Sequence, residues 1–134
     1  MTASKVLIDT NIVSYLMKKR PEAEAYVPHL QGKLTAIAFI TVGELYYGAE
    51  KKGWGTQRRL KLETVLRNFL VIPYDHEISK TYGRVLSERE SLGRPISTND
   101  AWIAACAVRH AVALVTHNLR DFEGISNLQL ISEA

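Results

Sequence analysis

The chain is short of most features that announce a specialised protein. Among its 134 residues there is one cysteine, Cys106, so neither an intrachain disulfide nor a cysteine-rich zinc site can form. Cys106 lies on an apolar helical face, where it is expected to behave as a small core residue. No apolar run approaches the ~18 residues of a membrane-spanning helix, so no membrane partner is expected. The four histidines, His29, His76, His110 and His117, show no H-E-x-x-H spacing. No glycine-rich phosphate loop is present: Gly53-Trp54-Gly55 lacks a third glycine, and no Gly-Lys-Ser/Thr occurs. A serine triad has no nucleophile elbow to sit on. The opening Met-Thr-Ala-Ser-Lys runs straight into the first apolar segment, so no secretory leader is expected and the cytoplasm is the expected location. Charge is nearly balanced. The formal net value of +3 is compatible with a phosphate-rich partner without requiring one.

What remains is ordinary for a soluble globular chain, with 46% apolar and 23% charged residues, and one domain over residues 1–134 is expected. Its pattern alternates. Val6 to Ile8 reads as a strand, and Asn11 to Leu16 as a helix with Ile12, Tyr15 and Leu16 in phase. Lys18-Lys19-Arg20-Pro21 is a basic turn, and Pro21 opens a second helix from Glu22 to about Gln31, closed by Gly32. Leu34–Ala38 is a second strand, followed by a helix from about Ile40 to Lys52. Thr56 to Leu70 is helical, and Phe69–Pro73 carries a short strand. Asp75 opens a helix to about Leu92, and Ser97, Thr98 or Asn99 caps another that runs to His110. Ala113–Thr116 and Leu128–Ile131 complete the strands. Strands alternating with helices predict a three-layer α/β/α sandwich around a mainly parallel sheet.

Four acids on separate segments stand out. Asp9 falls where the first strand gives way to a helix, at the sheet edge where open α/β folds bind ligands. It either caps that helix or meets a cation, since an unpaired buried charge costs several kcal/mol or more. Glu44 lies opposite the stripe Val42, Leu45, Tyr46 and Ala49, so periodicity alone turns it to solvent. Two details resist that reading. Ile40 and Tyr47 make its face unusually apolar, and Gly48 costs about 1 kcal/mol in a helix interior, which fits a close approach by backbone or ligand. Asp100 sits three residues before Ile103 on an inward face; helix-start electrostatics explain an acid there, but not its direction. Asp121, just past a strand end, is either a turn aspartate or a fourth member of the group. In a parallel sheet these points share one rim, where four carboxylates need a compensating charge. Oxygen-only ligation suits Mg²⁺ or Mn²⁺ rather than zinc.

The tract from Tyr46 and Tyr47 through Lys51, Lys52 and Trp54 to Arg58 and Arg59 mixes aromatic and basic groups. It fits either base stacking with phosphate neutralisation or a solvated helical hairpin with two core aromatics.

Five blocks in order resemble the PIN-domain family, in particular its VapC-like toxins. They are Ile8-Asp-Thr-Asn11-Ile, Ile40-Thr-Val-Gly-Glu44-Leu-Tyr-Tyr-Gly48-Ala, Gly93-Arg-Pro-Ile96, Asn99-Asp100-Ala-Trp-Ile103-Ala-Ala105, and Leu114-Val-Thr116-His-Asn118-Leu-Arg-Asp121-Phe. The resemblance runs from about Val6 to Ile131. It implies that Asp9, Glu44, Asp100 and Asp121 hold one or two Mg²⁺ or Mn²⁺ ions, with Thr10, Asn11, Thr116 and Asn118 lining or orienting the site. Some relatives carry an acid where this chain has Asn118, and Ser97 stands where glycine is frequent. The implied activity is metal-dependent hydrolysis of RNA phosphodiester bonds. The implied partners are RNA, a cognate antitoxin whose tail covers the cleft, and a second copy in a homodimer. Tyr46, Tyr47, Trp54 and the helix around Leu60 to Leu66 are the expected apolar contact surface for the antitoxin.

Two rivals are weaker. A PIN-like scaffold that binds RNA or protein without cutting would not need all four acids. A phosphoryl-accepting domain with Asp9 as nucleophile wants either an aspartate where Asn11 stands or a late-strand lysine where the chain has Thr116-His117.

Overall fold

The computed structural model describes residues 4–134. Five strands, β1 (Lys5–Ile8), β2 (Leu34–Ala38), β3 (Leu70–Ile72), β4 (Ala113–Val115) and β5 (Leu130–Ile131), form one sheet in the order β3-β2-β1-β4-β5. Every pairing is parallel; Leu7 stands opposite Ala36 on one side and Leu114 on the other. The order reverses direction at β1: the chain winds outward to β2 and β3, then returns to place β4 on β1's other side. Such a reversal leaves a crevice at the carboxyl ends of the two central strands.

Among the described residues seven α-helices connect and cover the strands: α1 (Thr10–Lys18), α2 (Pro21–Glu24), α3 (Val27–Leu30), α4 (Phe39–Lys51), α5 (Thr56–Leu66), α6 (His76–Ser91) and α7 (Thr98–Arg109). Successive strand residues feed opposite faces. Leu7, Ala36, Ala38 and Leu114 pack with Ile78 and Val85 of α6 and with the nearly all-buried Ala101–Ala107 stretch of α7. Val6, Ile8, Ile37 and Val115 pack with Ile12 and Val13 of α1, with Tyr26, and with partly buried Val42 and Leu45 of α4. Two buried faces make the strands continuous apolar runs, as a covered parallel sheet requires. Cys106 is a buried core residue, and burial pushes its thiol up to about 12.

The elements follow the sequence pattern with two departures. The expected helix from Glu22 to Gln31 is broken into α2 and α3 around Ala25 and Tyr26. Pro28 is the reason: within a continuous helix it would lack the N–H owed to Glu24 and clash with that carbonyl, whereas in the first turn of α3 neither matters. The helix expected to reach Leu70 stops at Leu66, because Leu70–Ile72 join the sheet beside β2. Its last turn tightens as Asn68 and Phe69 donate to the carbonyls of Val65 and Leu66. Side-chain caps fall where expected, with Asp75 Oδ1 accepting from Ile78 N at 2.7 Å and Ser97 Oγ accepting from Asp100 N at 3.2 Å.

Leu114 is fully buried on a central strand, whereas Leu34 is 51% exposed. Urea denaturation should therefore show Leu114→Ala losing about 2–5 kcal/mol and Leu34→Ala staying within about 1 kcal/mol of wild type.

Candidate functional site

Asp9 is placed by the sheet before its side chain does anything. Its N–H donates to Val115 O at 3.2 Å, which fixes the residue at the crevice between β1 and β4. The side chain then does both things open to it. Oδ1 caps α1 by accepting from Ile12 N at 2.9 Å, and Oδ2 accepts from Thr116 Oγ1 at 2.5 Å. Thr116 Oγ1 in turn accepts from the backbone N–H of Asn118 at 3.0 Å. Capping alone does not call for a carboxylate with 3% exposure. Burial pushes the Asp9 carboxyl above its ordinary value; the Thr116 hydroxyl and the Ile12 amide pull it back, and the Glu44 charge adds to the rise.

Glu44 anchors a second chain of bonds. Thr10 Oγ1 donates to Glu44 Oε1 at 2.6 Å, and Asn99 Nδ2 donates to Oε2 at 3.1 Å. Thr10 has one hydroxyl proton, so Thr41, whose Oγ1 lies 3.0 Å away, is the donor to Thr10. Periodicity turned Glu44 to solvent, but the structure half-buries it. Phe39 and Ile40 of α4 reach one core while Val42 and Leu45 reach the other, so the face carrying Glu44 meets α1 and the start of α7 instead of water. Ile40 was the sequence signal for this. Conversely Tyr46, assigned to the apolar stripe, is 37% exposed.

Asp100 is half-buried at the first turn of α7, beneath its Ser97 cap. Its carboxyl is pushed up to about 6, first by burial, against which the Ser97 hydroxyl works, and then by the charges of Asp121, Asp9 and Glu44. Asp100 thus lies within electrostatic reach of the other three acids. Asp121 is the exposed member, in a 3-10 turn at Leu119–Asp121. Its position is set from behind by Arg89, a buried arginine that donates to the carbonyls of Asp121 at 2.6 Å, Arg94 at 2.7 Å and Arg120 at 3.5 Å. Asn11 and Asn118 enter through their backbone amides, to Asp9 and Thr116 respectively.

Sequence reasoning passed over Arg89, Thr41, Tyr26 and the role of Asn99. Arg89 had a signal, being in helical phase with Ile78, Tyr82 and Val85. Tyr26 had none: its hydroxyl meets His117 Nδ1 at 2.6 Å and accepts from Glu133 N at 2.9 Å, bracing the loop behind Thr116.

No ion pair among the described residues includes Asp9, Glu44, Asp100 or Asp121. Nor do three acidic, histidine or cysteine side chains among those residues close around one point. The candidate ligands, carboxylates with the Thr10 and Thr116 hydroxyls beside them, are oxygen donors, a set that fits a hard divalent cation.

The model of the PIN domain family matches residues 6–128. Ribonuclease VapC2 of Haemophilus influenzae is 36% identical over 93% of this chain and 95% of its own length. The tRNA(fMet)-specific endonuclease VapC of Shigella flexneri is 32% identical, again over 93% and 95%. Among solved structures, a chain of VapBC2 from Rickettsia felis, bound to a DNA fragment from its promoter, superposes with a TM-score of 0.86 at 30% identity, covering 97% of this chain and 99% of that one. The doubly wound sheet, the acidic crevice and these likenesses agree: the chain belongs to the PIN domain family, with VapC proteins as its relatives.

Proposed function

We propose that this chain is a metal-dependent endoribonuclease, the toxin of a toxin–antitoxin pair, which hydrolyses RNA phosphodiester bonds at the crevice between β1 and β4. One observation carries the reading. The Asp100 carboxyl feels the charges of Asp121, Asp9 and Glu44, each carried on a different segment, and among the described residues no cation is paired with any of the four. The names of the relatives, ribonuclease and tRNA endonuclease, support the same chemistry.

Asp9 and Asp100 would hold Mg²⁺ or Mn²⁺, with Asp121 completing the ligand set and Glu44 positioning or deprotonating water. A divalent ion, when bound, supplies positive charge to the phosphoryl oxygens and acidifies its water. The chain's own groups do the rest. Thr116 fixes which Asp9 oxygen faces the cleft, Thr10 and Asn99 fix Glu44, and Arg89 fixes the turn carrying Asp121. Asn11 and Asn118 hold the Asp9–Thr116 pair through their amides. The protein partner is an antitoxin, in keeping with the toxin–antitoxin complexes among the structural neighbours. Exposed Tyr47 (66%), Leu60 (55%) and Tyr46 (37%) offer it apolar contact. A homodimer completes the assembly.

Asp9→Asn separates chemistry from folding. Asparagine caps as well as aspartate does, so thermal stability should hold within a few degrees, while RNA cleavage in Mg²⁺ should fall roughly a hundredfold or more. Cleavage at the wild-type rate would remove Asp9 from the site and leave a PIN-like binding domain as the better reading.

A second test needs no substrate. Burial pushes the folded Asp100 carboxyl up to about 6, above the ordinary aspartate value of 3.8, so the folded state binds that proton more tightly than the unfolded chain does. Its ionised form therefore costs stability above about pH 6, and the cost disappears as pH falls through that value toward 4. In EDTA, Asp100→Asn should melt higher than wild type at about pH 8, with the difference shrinking by about pH 5. Added Mn²⁺ should raise the wild-type melting temperature at the higher pH, and raise that of Asp100→Asn much less.

A further inference from the structure

A cleft of about 410 Å³ opens beside the acidic edge, between α1, α4 and the start of α5. Thr10 and Glu44 belong to both, so the two spaces are continuous. Away from them the lining changes sign. Lys18, Lys52, Arg58 and Lys61 rim the cleft, and none has an acidic partner among the described residues. Lys52 crowds Lys18 closely enough to hold its ammonium below the ordinary lysine value. Four unpaired cations drawn together beside an acidic site call for an anion that the chain does not contain.

Two further features give that anion a shape. Arg59, unlike its neighbours, is engaged within the chain: Nε donates to Trp54 O at 2.7 Å and Nη1 pairs with Glu50 Oε1 at 2.7 Å. It pins the Gly53–Gly55 turn and so presents the Trp54 indole at the cleft, with Lys52 Nζ 5.9 Å from the ring centroid. Gly48 lines the cleft from the interior of α4, where a glycine weakens the helix relative to alanine. A Cβ at Gly48 would meet no atom of the protein within 4 Å, so internal packing does not demand the glycine there. It keeps the cleft open.

The geometry points to a subsite for single-stranded RNA: nucleotides flanking the bond to be cut run from Thr10 and Glu44 into this cleft, a base stacking on Trp54 and phosphates meeting Lys18, Lys52, Arg58 and Lys61. A single strand is favoured because the aromatic face is reachable only by an unstacked base, which an A-form duplex withholds. Spaced cations beside an aromatic platform are the usual means of gripping such a strand. The subsite rests on the proposed function, since it is placed by the acids that would cut.

The test reads binding and not cleavage, so it is decided separately from the activity. A fluorescent oligouridylate of about ten nucleotides is titrated in Mg²⁺ against Asp9→Asn protein, which should not cut it. Adding Gly48→Met should weaken binding roughly tenfold with the melting temperature unchanged or raised, and Trp54→Ala should cost a similar factor. Replacing Lys18, Lys52 and Lys61 together with glutamine should weaken binding and flatten the salt dependence, by about 2 in the log–log slope. The matching duplex should bind less well than the single strand. If Gly48→Met and the triple variant bind the strand with wild-type affinity and salt slope, the inference is overturned, and the cleft serves another polyanion such as an acidic stretch of a protein partner. Loss of cleavage by every RNA tested would overturn the proposed function instead, and would leave these binding results to decide the subsite.

Discussion

The hydrogen bond from Thr116 Oγ1 to Asp9 Oδ2 is the constraint on which the site is built. It joins the ends of strands β1 and β4 where the winding of the sheet reverses, and it does so with a buried carboxylate. Everything around it serves or answers that charge. The amide of Ile12 and the chain through Asn118 partly relieve it, Glu44 makes it worse, and the Asp9 charge in turn raises Asp100. A scaffold selected for stability alone would not assemble acids in this way. The arrangement stores unfavourable electrostatics in a rigid frame, where a cation can recover them.

Rigidity comes from the faces of the sheet. Because the central strands are buried on both sides, the residues at their carboxyl ends inherit positions fixed by core packing, and the polar groups there need only short side chains to meet. Thr10, Thr41, Asn99 and Ser97 are all small. Thr10, Asn99 and Ser97 reach the acids, and Thr41 reaches Thr10, because α1, α4 and α7 start at or near the crevice rim.

Much of this was legible before any coordinates. Short β-branched runs alternating with helical periodicity gave the order of elements, and the strand-to-helix position of Asp9 gave the edge of the sheet. The failures have separate physical causes. The helix broken at Pro28 was a matter of backbone chemistry that a composition-based reading underweighted. Glu44 was turned outward because periodicity assumes that a helix has one neighbour, and α4 has neighbours on several sides. Arg89 and Tyr26 went unnoticed because their partners are backbone atoms remote in sequence, and no local pattern encodes a distant carbonyl.

Arg89 carries one more consequence. It grips the segment bearing Asp121 solely through main-chain oxygens, and so is indifferent to which side chains that segment displays. The place of the turn and the identity of its residues are thereby uncoupled. Arg120 and its neighbours on the turn can be exchanged without moving the scaffold that presents them.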